Sequence, residues 1–162
     1  MHQRVLIPEG ISDVAWLDAL QTALELRQSW DSPEDELSKF STFVGVVPTD
    51  DAKIAETHDV VRRVHGHCSV LVDGDQAGRA YLTELNAADP TPSAAIIWPA
   101  DWKVEHMVTW IAEANLGKVL PQIAEANGKA VDTAAELVVF LEERKSYAPT
   151  QEITSAILMG EA

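Results

Sequence analysis

Cysteine is nearly absent from this sequence, which contains only Cys68. A single cysteine excludes an intramolecular disulfide framework and suits a protein of the reducing cytoplasm. No apolar run reaches the length of a membrane span, and the first residues lack the apolar core of a signal peptide. We therefore expect a cytoplasmic protein that does not associate with membranes.

Basic residues are also scarce. The chain has 12 Lys and Arg against 26 Asp and Glu, which gives a formal net charge of -14. This balance argues against a free-standing nucleic-acid binder, which would carry a basic face. It is compatible with a metal-dependent module whose basic surface comes from another domain or a partner. The pattern G-x-x-x-x-G-K-[ST] is missing as well, so ATP hydrolysis is not predicted.

Short apolar runs alternate with helical patterns along the first two thirds of the chain, and only helical patterns follow Lys103. This order predicts right-handed parallel crossovers, and therefore a three-layer α/β/α, Rossmann-like fold with a parallel four-stranded sheet. We expect a first domain over residues 1–112. A C-terminal helical extension over residues 113–162 is expected to follow it, or to form part of a dimer interface. The predicted strands cover residues 5–7, 43–47, 69–72 and 94–98.

Helical spacing defines the elements between the strands. We expect Ser12 to be the N-cap of a helix that reaches about residue 28. A second helix, over residues 52–64, is predicted to bury Ile54, Val60, Val61 and Val64. A third covers residues 77–85, and the last begins at a Thr150 cap. Residues 30–39 are predicted to form a surface loop or a short helix.

Acidic residues follow two of the predicted strands. Asp73 and Asp75 flank a glycine directly after the third strand, Glu9 ends the first strand, and Asp13 lies about one helical turn beyond it. In open parallel sheets, ligands bind at the carboxyl ends of strands. Neighbouring carboxylates repel unless a cation lies between them, and hard oxygen ligands suit Mg²⁺ or Mn²⁺. A solvated Asp-Gly-Asp turn, with Asp13 only stabilising a helix dipole, is the plain alternative.

Two segments, residues 7–13 (IPEGISD) and 71–78 (LVDGDQAG), together resemble the TOPRIM domain. That domain has a signature glutamate after its first strand and an Asp-x-Asp pair after its third. The match covers about residues 4–110. Within the superfamily, E-G-x-x-D followed by a hydrophobic helix is most similar to the OLD (overcoming lysogenization defect) nucleases.

The resemblance implies a divalent-metal-dependent DNA endonuclease or nickase that uses one or two Mg²⁺ or Mn²⁺ ions. It implies a nucleic-acid partner, an ATPase domain or partner chain, and a possible homodimer. The OLD nucleases also have an acidic residue just after their fourth strand, and Glu105 lies at that place in this sequence. Two positions earlier, where the family often has a small polar residue, this sequence has Lys103. The implied metal ligands are Glu9, Asp13, Asp73, Asp75 and Glu105, and the implied catalytic residues are Glu9, Asp73 and Lys145. Glu9 can alternatively act as the general base.

Two other functions fit the same acidic pattern. One is the TOPRIM domain of a primase or topoisomerase, which would need a different neighbouring domain. The other is a non-catalytic interaction module that has this fold.

His65, His67 and Cys68 lie close together in the sequence, but a zinc site is not predicted there. These side chains supply only three ligands, and structural zinc needs four.

Aromatic and basic side chains offer further candidates for nucleic-acid contacts. Trp98, Trp102 and Trp110 have rings that can stack on bases, but tryptophans beside a strand and a helix more often belong to a core or an interface. Arg62 and Arg63 can contact a phosphate backbone, but the sequence favours a solvated helix face.

Overall fold

The computed structural model of the protein describes residues 2–26, 43–128 and 130–144. Within these residues the chain forms four strands and six α-helices. The strands are β1 (Arg4–Pro8), β2 (Val44–Val46), β3 (Cys68–Val72) and β4 (Ala94–Ile97). The helices are α1 (Ile11–Leu26), α2 (Ile54–Arg62), α3 (Gln76–Ala87), α4 (Val104–Ala112), α5 (Leu116–Asn127) and α6 (Ala134–Glu143). Short 3-10 turns, Asp51–Lys53 and Glu113–Asn115, precede α2 and α5.

The four strands form one parallel sheet in the order β2-β1-β3-β4. Leu6 lies opposite Val46 on one side and Ser69 on the other, and Leu71 lies opposite Ile96. β1 and β3 occupy the centre and are covered on both faces, which explains why their sequences are nearly continuous apolar runs. The predicted α/β class and its parallel four-stranded sheet are confirmed.

Helices cover both faces of the sheet. Val5 and Ile7 pack with Ile54 of α2 and Leu85 of α3 in one apolar cluster. Leu6, between them in β1, belongs to a second cluster on the opposite face. This alternation follows from the two-residue period of a strand. The result is a three-layer α/β/α arrangement, as predicted.

The second apolar cluster joins α1 to the helices that follow the sheet. It includes Trp16 and Leu17 from α1, Val108 from α4, Ile123 from α5 and Phe140 from α6. Helices α5 and α6 thus share a core with the sheet. The division at residue 112 stays a prediction.

Helix α2 turns a different side to the core than the sequence suggested. Val60 and Val64 are 57% and 78% exposed, so the prediction that they face inward was wrong. Ile54 and His58 are buried instead, and Val61 is partly buried. Their spacing of four and three residues defines one helical face. Since His58 occupies an apolar position of that face, burial lowers the pKa of its imidazole.

Helix α1 begins at Ile11, one residue before the predicted cap. Ser12 is therefore inside the helix, and its assignment as the N-cap was wrong. The predicted loop at residues 30–39 and the helix predicted after Thr150 lie outside the described residues. No helix in the described part of the chain is long and apolar enough to cross a membrane.

Candidate functional site

The carboxyl ends of the two central strands bring Glu9 and Asp73 together. β1 and β3 are hydrogen-bonded neighbours, with Pro8 opposite Leu71, so the residues that follow them leave the sheet side by side. The backbone N–H of Asp73 donates to Oε2 of Glu9 at 2.8 Å. Glu9 is only 7% exposed although it carries a carboxylate. Residues 64 positions apart in the sequence are thereby held at one point of the sheet edge.

Asp13 joins this point from the first turn of α1. Its Oδ2 accepts the backbone N–H of Gly10, and its Oδ1 accepts the indole N–H of Trp98, both at 3.3 Å. The side chain is 4% exposed, and this burial raises the pKa of Asp13 to about 7. The hydrogen bond from Trp98 lowers the pKa, and the negative charges of Glu105 and Glu9 raise it further. Asp13 thus serves as a helix-terminal acceptor and also as a member of the acidic group.

Glu105 reaches the same place from the first turn of α4, and it is 4% exposed. The carboxyl group of Asp73 is more strongly perturbed than that of Asp13. Burial raises the pKa of Asp73 to about 8, reinforced in order by the negative charges of Asp13, Glu9, Glu105 and Asp75. Its buried Oδ1 has no hydrogen-bond partner within the described part of the chain. An acceptor without a donor, surrounded by like charges, is costly unless a proton or a cation compensates it.

The four carboxylates line one pocket of about 180 Å³. Three of its other lining residues were not predicted as site residues: Ser12, Thr49 and Asp50. Asp50 lies four residues beyond Val46, where β2 ends, so an acidic residue after a third strand was the signal that could have identified it. Asp50 is largely exposed and pairs with Lys53 at 3.6 Å. The pocket is lined by Glu9, Gly10, Ile11, Ser12, Asp13, Thr49, Asp50, Asp73, Val104 and Glu105.

Asp75 is engaged differently from the other predicted ligands. It is the N-cap of α3, where its Oδ1 accepts the backbone N–H of Gly78 at 3.0 Å. Its Oδ2 lies 3.7 Å from Nζ of Lys103. The bond from Gly78, and then the charge of Lys103, hold the pKa of Asp75 below its ordinary value. Asp75 is not among the residues that line the acidic pocket. Lys145, the predicted catalytic lysine, lies outside the described residues.

The donor chemistry of the pocket suits a hard divalent cation. Its acidic side chains supply carboxylate oxygens, and neither Lys nor Arg is among its lining residues. Oδ1 of Asp73 has no hydrogen-bond partner among the described residues, and carboxylate oxygens of this kind coordinate such ions. In the positions that the side chains adopt, however, no group of three or more His, Cys, Asp or Glu among the described residues is arranged to hold a metal ion. Binding of Mg²⁺ or Mn²⁺ therefore requires these carboxylates to draw closer together.

Comparisons with known proteins return no relative. No family model, curated protein or solved structure matches the chain significantly. The resemblance to the TOPRIM domain therefore rests on the two motifs and stays a prediction.

A close approach of two loops fixes the turn that carries Asp73. The backbone N–H of Gly74 donates to the carbonyl of Trp102 at 2.7 Å, and the carbonyl of Gly74 accepts the N–H of Asp101 at 2.9 Å. A Cβ at position 74 would lie 1.8 Å from the carbonyl oxygen of Pro99. At position 78 it would lie 2.1 Å from the carbonyl oxygen of Asp73. Both glycines of the DGDQAG motif are thus required by contacts with backbone.

We expect the substitution Gly74→Ala to destabilise the protein by roughly 2–4 kcal/mol, because rigid backbone would have to move to admit the methyl group. Urea unfolding followed by circular dichroism measures this effect. Gly66→Ala is the matched control, since nothing lies within 4 Å of a Cβ at that position. Equal stabilities of the two variants would contradict the close approach.

The remaining candidate groups have local partners. Nε2 of His65 lies 2.8 Å from the carbonyl oxygen of His2, and the thiol of Cys68 donates to the carbonyl of His65 at 3.1 Å. Burial raises the pKa of the Cys68 thiol, which disfavours the thiolate that zinc requires. Arg62 and Arg63 both form ion pairs with Asp59. The zinc candidates and the two arginines thus already have partners within the protein.

Trp98 and Trp102 support the acidic pocket through different contacts. Trp98 donates to Asp13, and its ring packs edge-on against Trp16 with centroids 5.8 Å apart. Trp98 is therefore a positioning residue of the pocket. The carbonyl of Trp102 accepts the N–H of Gly74, and the ring of Trp102 stacks beside that of His106.

Proposed function

We propose that this chain is a divalent-metal-dependent DNA endonuclease or nickase of the TOPRIM, OLD-like type, which cleaves phosphodiester bonds. The observation that carries the proposal is the convergence of Glu9, Asp13, Asp73 and Glu105 on one pocket at the carboxyl edge of a parallel sheet. Perturbed carboxyl groups clustered in a pocket are typical of functional sites. The resemblance of the two sequence motifs supplies the reaction class.

Glu9 and Asp73 are the central residues of the proposed site, and Asp13 and Glu105 complete it. They would hold one or two Mg²⁺ or Mn²⁺ ions, which supply charge stabilisation at the scissile phosphate and activation of water. The hydrogen bond from the Asp73 backbone orients the carboxylate of Glu9. Trp98 and the N–H of Gly10 orient Asp13. The resemblance also allows Glu9 to act as the general base.

The charge of the chain defines what its partners must provide. With a net charge of -14, the protein repels a polyanion over most of its surface. A bound divalent cation reverses this repulsion only locally. We therefore propose that an ATPase domain or partner chain, or a second copy in a homodimer, supplies basic surface for DNA. Lys145 would neutralise charge on the scissile phosphate if the resemblance extends to that residue.

A non-catalytic interaction module is the second candidate function. Two observations favour it: the lack of a preformed ligand group among the described residues, and the engagement of Asp75 by Lys103. In such a module the acidic pocket would be a remnant that binds no cation. The remaining alternative, the TOPRIM domain of a primase or topoisomerase, shares the acidic site.

Calorimetric titration with Mn²⁺ distinguishes the first two candidates. A nuclease should bind one or two Mn²⁺ ions and convert supercoiled plasmid to the nicked form when Mn²⁺ or Mg²⁺ is present. An inert module should do neither, and that result would end the nuclease proposal. Primer synthesis from a single-stranded template, without plasmid nicking, would favour the primase alternative.

A further inference from the structure

One basic side chain lies against the Asp-Gly-Asp turn at residues 73–75. Nζ of Lys103 is 3.7 Å from Oδ2 of Asp75, and both side chains are only 29% exposed, so water screens this pair less than a pair on the open surface. The other oxygen of Asp75, Oδ1, accepts the backbone N–H of Gly78 at 3.0 Å. Both oxygens of this carboxylate thus already face a positive or partly positive group.

The loop that precedes α4 fixes the backbone of Lys103 beside the turn. The carbonyl of Trp102 accepts the N–H of Gly74 at 2.7 Å, and the carbonyl of Gly74 accepts the N–H of Asp101 at 2.9 Å. The N–H of Lys103 donates to Nδ1 of His106, in the first turn of α4, at 3.3 Å. Because none of these bonds involves the side chain of Lys103, a substitution there leaves them in place.

The two aspartates of the turn are in opposite electrostatic situations. Asp73 lines the acidic pocket, and its buried Oδ1 has no hydrogen-bond partner among the described residues. Asp75 is not among the lining residues and faces the ammonium group of Lys103. Burial, and then like charges, raise the pKa of Asp73, whereas the bond from Gly78, and then the charge of Lys103, lower that of Asp75. Only the first of the two carboxylates therefore calls for a cation.

A divalent ion on Asp75 would have to compete with this ammonium group. Mg²⁺ lies about 2.1 Å from its ligand oxygens, so an ion bound to Oδ2 of Asp75 would be no more than about 6 Å from Nζ of Lys103 in the observed arrangement. That separation is shorter than the Debye length of about 8 Å at physiological salt, so the two positive charges would repel with little screening.

The acidic pocket itself offers few oxygens for a second ion. Both oxygens of Asp13 accept hydrogen bonds, and Oε2 of Glu9 accepts the N–H of Asp73. Asp50 also lines the pocket, but its side chain is 83% exposed and pairs with Lys53. A second ion would therefore need the carboxylate of Asp75, which Lys103 already neutralises.

We propose that Lys103 withdraws Asp75 from the set of metal ligands, so that the acidic site takes one divalent ion rather than two. The inference rests on the proposed function, because it specifies how many ions that metal site holds. The ammonium group of Lys103 supplies, at the turn, the positive charge that a second ion would bring. Lys103 is thus a positioning residue that sets the metal stoichiometry.

The number of Mn²⁺ ions bound per chain tests the proposal on the full chain. The EPR signal of the free ion, recorded at room temperature while Mn²⁺ is added, gives the number of ions that are bound. We expect about one ion per wild-type chain and about two in Lys103→Met, which keeps an unbranched side chain without its charge. Lys103→Gln, a second neutral variant, should give the same result as Lys103→Met. The double variant Lys103→Met with Asp75→Asn should return to one ion, because the second ion depends on the carboxylate of Asp75.

Two controls separate the effect of Lys103 from a general effect of charge. Lys103→Arg keeps the positive charge and should bind one ion. Lys118→Met removes a positive charge from an exposed position of α5 and should also bind one. Circular dichroism verifies that each variant is folded.

The possible results distinguish this inference from the nuclease proposal. Two ions in the wild-type protein, one ion in the neutral variants, or two in the double variant would each overturn the inference and leave the nuclease function standing. The expected ion counts without plasmid nicking would remove only the nuclease function. Absence of Mn²⁺ binding from the wild type and the variants would overturn both.

Discussion

Replacing Asp73 by asparagine is expected to reduce metal-dependent nicking of plasmid DNA on the order of a thousandfold, since a metal ion at such a site contributes several kcal/mol of transition-state stabilisation. Asparagine preserves the size of the side chain but removes the charge that would hold the cation. It also leaves the backbone N–H that donates to Glu9 unchanged. The loss should therefore appear in activity and in Mn²⁺ affinity together. Nicking is measured from the rate at which supercoiled plasmid becomes open circle.

The fold of this variant should survive the substitution. Burial and neighbouring charges raise the pKa of Asp73 to about 8, so the folded protein favours the uncharged form that asparagine imitates. Thermal unfolding without metal should occur at the same temperature as in the wild type, or higher. Asp59→Asn is the matched control, because it removes one charge from α2, where Asp59 pairs with Arg62 and Arg63. Nicking by Asp73→Asn at the wild-type rate would refute the proposed site.

Asp75 provides an internal comparison within the same motif. Because Asp75 caps α3 and faces Lys103, Asp75→Asn keeps the cap and should reduce nicking less than about tenfold, below the roughly 10- to 100-fold that is usual for an outer-shell partner of a metal site. A loss as large as that of Asp73→Asn would restore Asp75 to the set of direct ligands. The same plasmid assay distinguishes the two outcomes.

The parallel sheet and its acidic edge were predictable because both depend on local features of the sequence. Each strand is a short apolar run, and a strand buried on two faces needs no alternation. Once parallel strands alternate with helices, the carboxyl ends of all strands lie at one edge of the sheet. Residues that directly follow strands, such as Glu9 and Asp73, therefore belong to one region. The hydrogen bond between them follows from the adjacency of β1 and β3, which the sequence does not reveal.

Side-chain partners were less predictable because they depend on which element packs against which. No pattern in the sequence indicates that Lys103 lies beside Asp75, or that Trp98 donates to Asp13 across 85 positions. The apolar face of α2 was misjudged for a related reason. The prediction placed Val60 on the buried face because valine is apolar. In the structure the imidazole ring of His58 packs on that face, and Val60 is exposed.

Without bound metal, the protein is expected to lose stability as the pH rises from 5 to 8. The folded protein holds a proton on Asp13 up to about pH 7, whereas the unfolded chain releases it near the ordinary value of 3.8. Between those two pH values the folded state binds more protons, so its free energy of unfolding falls as the pH increases. From pH 5 to pH 7 the contribution of Asp13 is roughly 2–3 kcal/mol, at 1.36 kcal/mol per pH unit. Asp73 acts in the same direction because its pKa is also raised.

The variant Asp13→Asn removes this effect, together with the part of the rise in the pKa of Asp73 that the charge of Asp13 causes, which acts in the same direction. His58 opposes it, because its lowered pKa makes the folded protein gain stability as the pH rises toward the ordinary value of 6.5. Asp59 and Asp75, with lowered pKa values, stay ionised above pH 5 and contribute no slope there. Since His58 is present in both proteins, its contribution cancels when the free energy of unfolding of Asp13→Asn is subtracted from that of the wild type. Urea denaturation in EDTA at pH 5, 6, 7 and 8 measures this difference, which should become less favourable to the wild type up to about pH 7. A difference that is independent of pH would mean that Asp13 is ionised at all these pH values, and that the pocket already compensates its charge without a cation.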